Sequence, residues 1–123
     1  MAAPKRTVLA VDDSLTIREL VNFVLGNAGY TVVLAEDGVE GLERLDQIQP
    51  DVIITDVNMP RLDGLSFIER AREGKARATP ILVLTTESAP EQKARARAAG
   101  ATGWIVKPFN PAQLLAAVEK VAS

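Results

Sequence analysis

Five short apolar runs, each followed by a stretch with a different periodicity, constrain the fold of this chain more than any other feature. The runs are Thr7 to Val11, Thr31 to Ala35, Val52 to Thr55, Ile81 to Leu84 and Trp104 to Val106. Each has the length of a strand, and most are rich in β-branched residues. Because the runs are uniformly apolar rather than alternating, the strands they predict are covered on both faces, as in a parallel sheet.

The intervening segments read as helices. Ile17, Leu20, Val21, Val24, Leu25 and Ala28 recur at helical spacing, and Gly29 supplies a stop. After the fifth run, Asn110 and Pro111 suit the N-cap and first helical positions, and Leu114, Leu115, Val118 and Val121 form a stripe. Asp37 with Glu40, Ser66 with Glu69, and Ser88 with Glu91 are spaced as capping boxes. The second and fourth helices are predicted to begin at the first and last of these, and the third one turn before Ser66. The fourth helix carries an alanine and arginine stripe, Ala94 and Ala98 with Arg95 and Arg97, instead of leucines. Its core contact should be thin, and it should move most easily.

Strand and helix alternating five times predict an α/β fold: a (βα)5, doubly wound, five-stranded parallel sheet of flavodoxin-like order 2-1-3-4-5. No repeat, linker or low-complexity run interrupts the pattern, so residues 1–123 are expected to form a single domain. No apolar stretch approaches the roughly 18 residues of a membrane span, and the N-terminus lacks the features of a signal peptide, so a cytoplasmic protein is expected.

Composition narrows the chemistry. The chain contains no Cys and no His, which excludes disulfides, thiolates, Cys/His zinc sites and Ser-His or Cys-His nucleophiles. A net charge of -2 lacks the basic footprint of a nucleic-acid binder. Carboxylates, hydroxyls and lysine remain.

In an open parallel sheet, ligands bind beyond the carboxyl ends of the strands. Those ends carry Asp12 and Asp13 after the first run, Glu36 and Asp37 after the second, and Asp56 after the third. Thr85 and Thr86 follow the fourth, and Lys107 the fifth. Singly, an Asp or Thr at such a place is an N-cap, and Asp37 is read only so. The others converge. Carboxylates from the adjacent first and third strands would repel unless a cation joined them, and oxygen-only ligands suit Mg²⁺. Asp56 could then attack phosphorus in line while Thr85 donates a hydrogen bond and Lys107 supplies positive charge, giving an aspartyl phosphate. Lys107 should also hold a nearby carboxylate ionised.

Four ordered motifs carry a family resemblance over essentially the whole chain: Val11-Asp12-Asp13-Ser14, Asp56-Val57-Asn58-Met59-Pro60 leading to Asp63-Gly64, Leu84-Thr85-Thr86-Glu87-Ser88, and Gly103-Trp104-Ile105-Val106-Lys107-Pro108-Phe109. The sequence resembles the receiver domains of response regulators, in particular the CheY-like single-domain chemotaxis group. The resemblance implies that Asp12 and Asp13 are the acid pair for Mg²⁺, with Asp13 the direct ligand. It implies Asp56 as phosphoacceptor and second ligand, and the Asn58 main-chain carbonyl as a third. Thr85 is then the switch hydroxyl, Lys107 the phosphoryl ion-pair partner, and the Lys107–Pro108 bond cis. The implied donor is a histidine kinase, and the implied target is a flagellar motor switch protein or another protein. The target would bind through the fourth helix, fifth strand and fifth helix of a monomer that is not an enzyme and contacts neither nucleic acid nor membrane.

Two residues depart from the family pattern. Trp104 stands where Tyr is usual, with a larger ring and only an N–H donor, which bears on the inward turn of that aromatic during switching. Thr86 replaces a small residue beside the phosphoryl site. Asn58 and Glu87, two residues after Asp56 and Thr85, are placed to tune hydrolysis. Three other readings compete. A phosphate sink or relay would have no output of its own. A haloacid-dehalogenase-type phosphatase would need its nucleophile after the first strand. A flavodoxin-like FMN binder would meet repulsion from Asp12 and Asp13.

Overall fold

The computed structural model describes residues 6–57, 59, 61–86 and 90–122. The order is β1 (Thr7–Val11), α1 (Leu15–Asn27), β2 (Thr31–Ala35), α2 (Gly38–Gln47), β3 (Val52–Asp56), α3 (Gly64–Glu73), β4 (Ile81–Thr85), α4 (Pro90–Ala99), β5 (Gly103–Val106) and α5 (Pro111–Ala122). All strand pairs are parallel, as the alternation predicted, and the sheet order is β2-β1-β3-β4-β5, the order expected. Among the described residues, no helix is long and apolar enough to cross a membrane.

The strands have period two, and each face has its own core. Leu9, Val11, Ile53, Ile81 and Val83 pack with Leu45, Phe67, Ile68, Ala71 and Ala96 of the middle three helices. Val8, Ala10, Val52, Ile54, Leu82 and Leu84 pack with Val21 and Leu25 of α1 and Leu114 and Val118 of α5. The three central strands are therefore sealed on both sides, and the edge strands β2 and β5 are partly exposed.

Local signals set the helix ends. The Ser14, Asp37 and Asp63 side chains accept from the backbone N–H of Ile17, Glu40 and Ser66, so α3 does begin one turn before Ser66. Asn110 and Gln113 cap α5 reciprocally, at 2.8 and 2.9 Å. Gly29, at φ 99°, closes α1 while the Tyr30 N–H reaches the Leu25 carbonyl. Ser88 lies outside the described residues, so its expected cap on α4 does too.

Two expectations need correction. β3 and β4 each run one residue further than the apolar pattern showed, because Asp56 pairs with Leu84 and Thr85 with Val106 in the ladder. The α4 stripe was misplaced: Ala94, Arg95, Arg97 and Ala98 are exposed, and Ala96 is the buried residue. An alanine-rich helix gives no difference in side-chain size from which to read its inner face. Its core contact is thin, as expected.

Truncating the wholly buried Phe67 to Ala should cost about 3–5 kcal/mol in urea unfolding. Phe23→Ala, at a position 70% exposed, should stay within about 0.5 kcal/mol of the parent.

Candidate functional site

The parallel register brings the carboxyl ends of β1 and β3 side by side, with Val11 opposite Thr55. The next residue on each strand is an aspartate. Carboxylate oxygens of Asp12, Asp13 and Asp56 all lie within 4.8 Å of one another. Asp12 is 2% exposed and Asp56 8%, while Asp13 faces solvent.

Each carboxylate is held by a particular contact. Asp12 Oδ1 accepts from the Ser14 N–H at 2.9 Å, and the Asp12 main-chain carbonyl accepts from the Arg18 guanidinium at 2.8 Å. Asp56 Oδ1 accepts from the Val57 N–H at 2.9 Å. The Lys107 ammonium, arriving from the end of β5, lies 3.1 Å from Asp12 Oδ2 and 3.2 Å from Asp56 Oδ1. Its own backbone N–H donates to the carbonyl of Thr85 at 2.8 Å, tying the ends of β4 and β5 together. The Lys107–Pro108 bond is cis, as the resemblance implied.

Lys107 lowers the pKa of Asp56, as expected, but it is outweighed. Burial raises its pKa above 3.8, repulsion from Asp12 raises it further, and the attraction of Lys107 only partly offsets them. Lys107 is itself partly desolvated, which opposes its charge, but two adjacent carboxylates outweigh that and raise its pKa above 10.5. One ammonium is shared between two acids, so neither acid is fully compensated. Three clustered carboxylates against one lysine, all donors oxygen, form a hard and negatively charged site. That donor set fits a small divalent cation.

Thr85 ends β4, half-buried. It opens onto a groove of about 580 Å³ between α3 and α4, which Val57, Asp63, Glu69 and Arg95 also line. Behind it, a gap of only about 10 Å³ is lined by Thr85, Val83, Ala96 and Trp104. Trp104 is half-buried, with Lys93 Nζ 4.9 Å and Arg97 Cζ 5.2 Å from the ring centroid. Thr86 is exposed. Asn58 and Glu87 lie outside the described residues.

Sequence reasoning missed three partners. Arg61 forms a forked ion pair with Asp37, and Lys93 and Arg97 flank Trp104. The first joins residues far apart in sequence, with no motif to announce it. The second pair had a signal, since residues four apart share one helix face. Asp37 does cap α2, as read.

Residues 8–119 match the family of the response regulator receiver domain. The chemotaxis response regulator CheY4 of Vibrio cholerae is 49% identical, with a TM-score of 0.93 over 96% of this chain and 99% of its own. Chemotaxis protein CheY1 of Helicobacter pylori is 40% identical over 117 residues, covering 93% of this chain and 94% of its own length. The receiver domain of the sensor histidine kinase PA1611 of Pseudomonas aeruginosa is 26% identical, with a TM-score of 0.88 over 97% of this chain and 98% of its own. It was solved with a magnesium ion coordinated in the active site cleft. Other curated relatives are longer: the chain spans about half of them, 48% in a response regulator of Mycobacterium leprae that is 41% identical.

Because the pKa of Asp56 is raised in the folded state, folding gains a proton between 3.8 and the folded value, and stability falls as pH rises through that window. Asp56→Asn should therefore unfold at higher urea than the parent at about pH 7 without divalent ions. The gain should shrink as pH falls toward about 4. Parallel urea titrations across that range check both the sign and the window.

Proposed function

From the premise that this chain belongs to the response regulator receiver domain family, we propose that it is a cytoplasmic, Mg²⁺-dependent phosphoacceptor switch, monomeric and forming one domain. It takes a phosphoryl group from a histidine kinase on Asp56 and thereby changes its binding to a downstream protein. The observation that carries this reading is the cluster of Asp12, Asp13 and Asp56 oxygens within 4.8 Å, with Lys107 bridging the first and third.

Asp12, Asp13 and Asp56 would hold the ion, with the Asn58 main-chain carbonyl as a further ligand. Bound there, Mg²⁺ supplies the positive charge that the three carboxylates lack and neutralises phosphoryl oxygens. Asp13, the solvent-facing acid, is the accessible ligand, whereas Asp12 is occupied by Lys107. An Asp56 oxygen forms the new bond to phosphorus as the bond from phosphorus to the donor's imidazole nitrogen breaks. Lys107 follows the charge, turning from its carboxylate partners to the incoming phosphoryl oxygens. Thr85, at the mouth of the adjacent groove, donates its hydroxyl to the same group.

The signal leaves through α4, β5 and α5. The gap behind Thr85 is far smaller than an indole, so Trp104 can turn inward only if Thr85 and α4 yield space. Drawing Thr85 toward the phosphoryl group provides part of it. Asn58 and Glu87 supply polar groups for the hydrolytic water, which favours a short-lived signal. The chain catalyses only its own phosphorylation and dephosphorylation, with no separate substrate to turn over.

The likeness to chemotaxis regulators at 40–49% identity, over nearly their full lengths, favours a chemotaxis role with a flagellar motor switch protein as target. Likeness to a kinase's receiver domain is weaker, at 26%, which ranks a relay or sink role second.

Incubation with a small-molecule phosphodonor should add one phosphoryl group by intact mass only when Mg²⁺ and Asp56 are both present, with a change in Trp104 fluorescence. Asp56→Asn should add none, and Lys107→Ala should react about a hundredfold more slowly. Absence of the adduct in the folded parent would sink this reading. Mg²⁺ should also reverse the stability order of the previous experiment, since only the parent gains from binding the ion.

A further inference from the structure

Residues 61–64 lie close against the site. Gly64 lies so close to Asp56 that a Cβ placed there would sit 2.0 Å from the Asp56 carbonyl oxygen, and the Gly64 N–H donates to the Val57 carbonyl at 2.8 Å. Leu62 meets α2, where a Cβ on Gly38 would approach the Leu62 carbonyl oxygen to 2.6 Å. Immediately before Leu62 stands Arg61, at φ 67°, a left-handed conformation that non-glycine residues rarely adopt.

Burial does not hold Arg61 in that conformation, because its side chain is 56% exposed. Its guanidinium holds it. Nε donates to Asp37 Oδ2 at 2.7 Å and a terminal nitrogen donates to Oδ1 at 3.0 Å, the two-pronged fit of arginine on carboxylate. The Asp37 side chain is only 5% exposed, and its Oδ1 also caps α2 at the Glu40 N–H. The hydrogen bond from Arg61 is the chief reason that the Asp37 carboxyl is held below its usual range. A buried, capped carboxylate is a fixed anchor, and Arg61 ties the segment behind Asp56 to it.

We infer that Asp37 and Arg61 are positioning residues for the phosphoacceptor site, their forked pair fixing the segment behind Asp56 and so setting the affinity of the acidic cluster for a divalent cation. The inference rests on the receiver reading of that cluster. Two other roles make opposite forecasts. If Arg61 acted only through its charge, removing it would tighten cation binding, since a nearby positive charge repels the ion. If the pair only stabilised the fold, its loss would lower the unfolding midpoint.

Arg61→Gly separates these cases, because glycine accepts the backbone conformation while the side chain is lost. Calorimetric titration with Mg²⁺ should show affinity about tenfold weaker in Arg61→Gly, the effect typical of removing an outer support of metal ligands. The metal-free urea midpoint should be unchanged or raised. Asp37→Asn, which preserves the cap on α2, should weaken Mg²⁺ comparably, and the double variant no more than either single one. Arg61→Lys, with charge but no fork, should fall between. Mg²⁺ affinity in Arg61→Gly equal to or tighter than the parent's overturns the inference, and so does weaker binding matched by a lower metal-free midpoint. If the parent itself binds no Mg²⁺, the reading of the cluster fails, and the clamp with it.

Discussion

Mutual repulsion of acids at one edge of the sheet is the constraint around which the molecule is arranged. Parallel pairing of β1 with β3 puts Asp12 and Asp56 at adjacent strand ends, and Asp13 follows immediately. At an effective dielectric near 20, two unit charges about 4 Å apart repel by about 4 kcal/mol, a large fraction of a small domain's net stability. Lys107 relieves part of this by reaching both buried acids, and it comes from the far edge strand, β5. The residual charge is what makes the site ready for a cation. A second positive group in the cluster would calm the fold and spoil the site.

Holding such an edge together requires a rigid platform. The sheet provides it by burying both faces: Leu9, Ile53 and Ile81 serve one core, and Val8, Ile54 and Leu84 the other. At about 1.5–3 kcal/mol for each large side chain removed from water, a few of these residues outweigh the local repulsion. The ladder extends through Asp56 and Thr85 themselves, so the proposed phosphoacceptor and its hydroxyl partner are also members of the sheet. Backbone hydrogen bonding fixes their main chains and leaves only the side chains to move.

What was readable in the sequence follows from this division. β-branched runs and helical periodicity are repeated, local signals, and they determined the order of elements and the edge where the acids meet. Asp12, Asp56, Thr85 and Lys107 stood out because each sits directly after an apolar run, and Asp13 because it follows Asp12. The Asp37–Arg61 pair was not legible, since its geometry depends on a left-handed backbone at Arg61 and on the approach of Leu62 to Gly38. The net direction of the Asp56 shift was not legible for a related reason. Sequence proximity names the charges nearby, but burial, which dominates here, is a property of the assembled sheet.

The weakest part of the platform is the part that borders Thr85. α4 sends a single alanine, Ala96, into the core, whereas α1 sends Val21 and Leu25, and α5 sends Leu114 and Val118. Its remaining attachment to the sheet edge includes Lys93 and Arg97 against the Trp104 ring, contacts worth about 0.5–1 kcal/mol each where water reaches them. An element held this way opens at low free energy compared with its neighbours. The groove between α3 and α4 and the small gap before Trp104 both border Thr85, so a displacement of that one side chain acts on the helix least able to resist it. The sheet resists the charge that gathers at its edge, and under the proposed switch α4 is where a change in that charge would be expressed as a change in shape.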